Sequence, residues 1–293
     1  MAIFLSALVV GVSLGTIYGL MAFGLVASYR ISKVVNLGAA GIAAVCACTY
    51  WWFTQVWGAP IVVGLLLSLV IGGVLGGAMG WAVLRMDDWP KGLVMIVSLA
   101  ATLLLFSLGD KFLPTYNPQT PSPFGDSGFN FLLTFISWHS VGTFLFCVGL
   151  AAVITLLMTK TRFGLFVRAI YDDPGGAATV GIPLTTAVVG VWAASGVLAA
   201  VAGCLATHTT TLDTGLLLFV MVWGLAGAVL GGMESFALGF AGGLVLGMAE
   251  GVIGGTFGGQ LPPGVENLGA LLIMAAGVIY AGTKRRHLAE LQT

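Results

Sequence analysis

Residues 60–84 read PIVVGLLLSLVIGGVLGGAMGWAVL, and no charged side chain interrupts them before Arg85. As a helix, a run of that length extends about 37 Å, enough to cross a hydrocarbon core of about 30 Å. Water has nothing to offer such a surface; only lipid or other helices can cover it. Comparable apolar runs recur at 4–28, 35–56, 92–110, 139–159, 184–207, 215–232, 236–256 and 267–283. The pattern predicts an all-α polytopic membrane protein with about eight or nine transmembrane helices, forming one domain over residues 1–293. The second run is the one most open to being broken, and the last three are dense in glycine.

The composition agrees. Of 293 residues, 58% are hydrophobic and 8% are charged, against about 25% charged in a soluble domain. The formal net charge is zero, so no basic field points to nucleic acid. No basic segment precedes the first run, which is longer than a signal-peptide core, so it reads as a retained span. Cys46, Cys48, Cys147 and Cys204 all fall inside apolar runs and read as small packing residues rather than as metal or disulfide partners.

Orientation follows from the cations. With nine spans and an outside N-terminus, Arg30, Lys33, Arg85, Lys91, Lys160, Arg162, Arg168, Lys284, Arg285 and Arg286 all fall on the cytoplasmic side. Lys111 alone falls outside, which satisfies the positive-inside bias and puts the C-terminus in the cytoplasm.

Two loops stand out. In the outer one, about 111–138, Pro114, Pro118, Pro121 and Pro123 stop any helix. The inner one, about 160–183, has Phe163, Phe166, Val167 and Ile170 at helical spacing, then Asp173 and Pro174 as the start of a second short helix. Two short helices there present apolar side chains either to the bilayer surface and the protein's own spans or to a cytoplasmic partner.

Glycines stand four apart in rows: Gly11, Gly15 and Gly19; Gly72, Gly76 and Gly80; and Gly227, Gly231, Ser235, Gly239, Gly243, Gly247 and Gly251. Burial of apolar surface does not drive helices together in lipid, so such rows are expected to let backbones approach closely.

Intramembrane ionisable groups are few. Glu250 is the one acidic residue well inside a run; Asp213 and Glu266 lie at outer edges and Glu234 at an inner turn. A chain of such groups is what ion-coupled transport needs. Paired carboxylates, His/Cys metal spacings, nucleophile–base pairs and a GxxxxGK[ST] loop are all missing from the sequence, so no enzyme reading is supported.

Three segments carry a family likeness. They are GVSLGTIYGLMAFGLVASYRISKVVNLGAAG (11–41), TRFGLFVRAIYDDPGGAATVGI (161–182) and AVLGGMESFALGFAGGLVLGMAE (228–250). The chain resembles the integral membrane permeases of bacterial ABC importers for branched-chain amino acids, whose relatives import urea and short amides. It departs from the family pattern at Leu37–Ala40, at Glu234–Ala237, and at Gly175 and Gly176.

The resemblance implies an inner-membrane translocation subunit without its own enzymatic activity or cofactor. ATP and Mg would sit on two partner ATP-binding subunits. A second permease, copy or homologue, would complete the path, and an extracytoplasmic solute-binding protein would deliver solute near the 111–138 loop. It further implies coupling to the ATPase through Thr161, Arg162, Phe163, Gly164, Arg168, Asp172 and Asp173. For the solute path the expected residues are Asn36, in a broken region, with Tyr18 facing it, and Glu250. The alternative from a different class is a stand-alone facilitator or an ion-coupled carrier.

Overall fold

The computed structural model describes residues 2–111, 118–131, 134–257, and 271, 272 and 275. The expected ninth run, 267–283, lies outside the described residues except for 271, 272 and 275. In chain order the helices are α1 (Ala2–Ser32), α2 (Ala39–Trp51, continued by a π-helical turn Trp52–Val56), α3 (Ile61–Arg85), α4 (Lys91–Asp110) and α5 (Trp138–Lys160). They are followed by α6 (Arg162–Asp172), α7 (Pro174–Thr179), α8 (Leu184–Thr209), α9 (Thr214–Leu230) and α10 (Phe236–Phe257). Among the described residues, α1, α3, α4, α5, α8 and α10 are long and apolar enough to cross a membrane. α9 is shorter, and α2 reaches comparable length only with its π turn.

Burial separates centre from rim. About three quarters of the most apolar stretch of α1 and of α8 is buried, against under a third in α3, α4, α5 and α10. The rim helices expose Val62, Leu66, Ile96, Leu103, Leu145 and Leu156, a surface that only hydrocarbon satisfies. Exposed Trp57 and Trp138 mark one end of the bundle, and Trp81 and Trp89 mark the other. Amphipathic indoles favour the two membrane–water boundaries in this way.

The glycine rows are the seams. α1 and α10 pack antiparallel: a methyl added at Gly11 would meet the Gly247 carbonyl at 2.8 Å, and one at Gly15 the Leu244 carbonyl at 2.6 Å. At Gly19 it would meet the Phe240 carbonyl at 2.8 Å. The Gly72/Gly76/Gly80 row faces Trp192 and Gly196 of α8, and Gly227 of α9 and Gly231 just after it face Gly243 and Gly239 of α10. Each backbone lies where a Cβ would be, so the contact distance is set by the absent side chain. The long row that crosses from α9 into α10 works because residues 231–235 reverse the chain. Gly232 and Met233 take left-handed φ values of 75° and 58°, and the Ser235 hydroxyl accepts the Leu238 N–H in the first turn of α10.

At the end marked by Trp57 and Trp138, the proline-rich segment contains no helix among its described residues. It adds an antiparallel pair, β1 (Gly128–Phe131) and β2 (Thr134–Ser137), that the sequence reading did not foresee. Ser137 then caps α5 by accepting the Ser140 N–H.

Candidate functional site

The broken region is real and sits at residues 33–38, ahead of α2 rather than within it. α1 ends as Lys33 enters the left-handed region at φ 56°, a conformation few non-glycine residues adopt. The Ser32 hydroxyl donates to the Ser28 carbonyl and accepts from the Trp192 indole. Asn36 is fully buried. Its N–H donates to the Ser28 hydroxyl at 3.3 Å, its Nδ2 donates to the Ser195 hydroxyl of α8 at 3.4 Å, and its carbonyl accepts from Ala39 N–H. Among the described residues its Oδ1 has no hydrogen-bond partner, and Asn36 lies just ahead of the first turn of α2. A buried acceptor left open beside a helix start is an unusual element that a donor group would satisfy.

Tyr18 does not face Asn36. It lies ten residues before Ser28 on the same helix, about 15 Å along the axis, and donates its hydroxyl to Glu250 Oε2 of α10 at 2.8 Å. The structure therefore brings Tyr18 and Glu250 together and leaves Asn36 with Ser28 and Ser195, a pairing with α8 that no spacing in the sequence signals.

In the connection between α5 and α8, α6 and α7 form as the sequence pattern predicts, and of the two alternatives for the apolar stripe it is the protein's own spans that take Val167 and Ile170. The apolar stripe turns inward: Val167 and Ile170 are buried with Ile31, Val34, Val83 and Val188, and Phe163 lies against Gly190 of α8. Gly164 sits on the Met158 carbonyl of α5, and Arg168 Nη1 donates to that same carbonyl. Thr161 caps α6 by accepting the Gly164 N–H at 3.2 Å. α7 starts at Pro174 after Asp173, whose side chain forms no capping bond. Thr161, Gly164 and Arg168 thus hold α6 on the bundle. The outward face is Arg162, Leu165, Asp172, Asp173 and Val180, and its exposed apolar side chains are Leu165 and Val180, with Phe163 half-exposed at its edge.

Tyr171 was not singled out by any motif, yet it ties α6 to the end of α1. Lys33 Nζ lies 3.6 Å from its ring centroid and the Arg30 guanidinium 4.8 Å. Arg30 also stacks on Phe236 at the start of α10, at 5.1 Å.

The hairpin end carries a buried polar knot. Ser122 bonds His139 Nδ1 at 2.9 Å, Thr143 bonds His139 Nε2 at 3.3 Å, and His208 Nδ1 bonds the Thr120 carbonyl at 2.8 Å. Tyr50 donates to the Pro121 carbonyl at 2.8 Å and Leu212 N–H to the Pro118 carbonyl at 2.7 Å. These bonds pin 118–126 over the ends of α2 and α8. They border an open polar cleft of about 590 Å³ lined by Gln55, Gln119, Asp126 and His208. Separately, an apolar cavity of about 390 Å³ lies between α2, α3 and α4, walled by Val45, Trp52, Phe53, Ile71 and Leu105.

The four cysteines are free and buried, with the Cys204 thiol against the Cys46 carbonyl and Cys48 against the Gly109 carbonyl.

Comparison with known proteins places this arrangement. The fructose import permease protein FrcC of Rhizobium meliloti is 24% identical over 209 residues, covering 69% of this chain. That match spans 56% of FrcC, little more than half the length of the curated relative. Among solved structures, PsaBC from Streptococcus pneumoniae in complex with Fab aligns over 96% of this chain and 91% of its own, with TM-score 0.50 and 15% identity, a likeness of fold. The family of branched-chain amino acid transport system permease components matches residues 7–280, and the chain belongs to that family.

Proposed function

We propose that this chain is the membrane permease subunit of an ATP-driven ABC importer in a bacterial inner membrane. Its solute is a small organic molecule: a branched-chain or other hydrophobic amino acid, or a related amide or urea-like compound. Sugars join the solutes to be screened because FrcC is a fructose permease. In this reading a second permease encloses the path, two ATP-binding subunits hold ATP and Mg, and a solute-binding protein docks at the hairpin end. The N-terminus is outside, and the end bearing α6 and α7 is cytoplasmic.

The observation that carries the reading is the two-faced α6. One face is fastened to α5 by Arg168 and Gly164, to α1 through Tyr171, and to the α8 side by Val167 and Ile170. The other face, with Arg162, Leu165 and Asp172, is open. A load applied to the open face passes through Tyr171 to Lys33 and Arg30 at the end of α1. From there it reaches the 33–38 break and Asn36, the region where a small rotation of α2 against α1 re-exposes backbone and amide groups. The glycine rows suit this motion because at Gly11, Gly15 and Gly247 the two helices meet backbone on backbone.

Transport by proteoliposomes is the test. Uptake requiring the ATP-binding and solute-binding partners, and absent with the permease alone, is the expected result. The second reading, an ion-coupled carrier, rests on the Tyr18–Glu250 pair, a carboxylate inside the bundle with a phenol donor. Gradient-driven accumulation by the permease alone would establish that reading and remove the first.

A further inference from the structure

We propose that the cavity between the end of α1, the α3–α4 turn and the start of α8 binds the phosphate of an anionic phospholipid. The cavity measures about 230 Å³, and its lining includes Arg30, Lys33 and Lys91 against the single carboxylate of Asp87. Lys91 Nζ is already paired with Asp87 Oδ1 at 2.6 Å. That leaves the charges of Arg30 and Lys33 unmatched by any carboxylate in the lining.

Two further observations point to a bound anion. Arg30 and Lys33 both lie against the Tyr171 ring, which positions their cationic groups beside the cavity. The starts of α4 and α8 also lie at the cavity, through Lys91 and Leu184, and bring the positive ends of two helix dipoles.

Depth selects a lipid as the source of the phosphate. The cavity touches the turn that joins two helices, α3 and α4, each apolar enough to cross a membrane, and exposed Trp81 and Trp89 flank that turn. It therefore lies at headgroup level, where basic pockets between transmembrane helices recognise anionic lipids. Leu84 and Leu184 continue the wall as apolar, partly exposed surface for an acyl chain. The site stands without the importer reading. If that reading also holds, the lipid bridges α1 and α6 at the junction where load is transmitted.

The test uses the purified full-length protein in detergent, probed by native mass spectrometry and thermal unfolding. Phosphatidylglycerol, phosphatidylcholine and inorganic phosphate are added in separate arms. The expected result is retention of phosphatidylglycerol with a raised midpoint, weakened at least tenfold by combined Lys33→Gln and Lys91→Gln substitution. Lys160→Gln, a cation at the same end but outside the cavity, should leave retention unchanged. Both lysines are partly or fully exposed, so their substitution leaves the core intact. Equal retention of the two lipids, or undiminished phosphatidylglycerol binding by the double variant, overturns the proposal. A midpoint shift with inorganic phosphate that also displaces the lipid assigns the site to a free anion and overturns the lipid source.

Discussion

Tyr18 and Glu250 meet at 2.8 Å across the α1–α10 seam, one turn of helix from glycines whose backbones touch. Two helices that approach this closely bring a phenol on one within reach of a carboxylate on the other. Hydrogen bonds between transmembrane helices average about 0.6 kcal/mol.

Tyr18→Phe is therefore expected to lower stability by about 0.6 kcal/mol, up to about 1.7. Glu250→Gln, which can still accept the phenol, should fold normally and keep ATP-driven uptake within about twofold. Thermal unfolding and proteoliposome uptake measure the two effects. Loss of all uptake in Glu250→Gln, with folding intact, would give the carboxylate a direct role in transport.

The seams predict a sharp contrast among glycines. Gly15→Ala, Gly76→Ala or Gly247→Ala inserts a methyl into a facing backbone and should cost about 1–3 kcal/mol. Gly149→Ala, in α5 with nothing within 4 Å, should be neutral or stabilising by up to about 1 kcal/mol through helix propensity. Midpoints from fluorescence-detected size exclusion after heating separate the two groups.

Leu165→Glu with Val180→Glu changes only the outward face of the α6–α7 connection. Permease-dependent stimulation of the ATP-binding subunits should fall at least tenfold while the unfolding midpoint stays within about 2 °C. Gly164→Ala should show the reverse order, destabilisation first, because it drives α6 off the Met158 carbonyl. Unimpaired stimulation in the double variant removes this face from partner docking.

Asn36→Ala removes the contact to Ser195 and the open acceptor beside α2. The stability cost should stay near 1 kcal/mol or below, as for other intramembrane hydrogen bonds, while solute uptake drops at least tenfold. Ser195→Ala should lower stability by a similar amount with less effect on uptake. Transport that follows stability equally in both variants would make Asn36 a packing residue.

His208→Ala removes the bond to the Thr120 carbonyl and should loosen 118–126. Faster hydrogen exchange in that segment, with little change in α3 or α5, is the expected readout.

The sequence alone determined that lipid is the solvent, where the apolar helices run, and that glycine rows form the seams. These follow from local quantities: run length, charge content and a four-residue repeat whose faces lie in register on any α-helix. It also placed α6 and α7, because the spacing of Phe163, Phe166, Val167 and Ile170 and the Asp173–Pro174 start are local signals. Only the tertiary structure decided which seam meets which, since Gly15 carries no mark that chooses Leu244 and Gly247 over another row. It likewise turned Val167 and Ile170 inward, gave Tyr18 to Glu250 rather than to Asn36, and set Tyr171 against Arg30 and Lys33. Those choices depend on contacts between residues far apart in the chain, most of them more than a hundred positions, where shape and hydrogen-bond geometry select the partner and no sequence period records it.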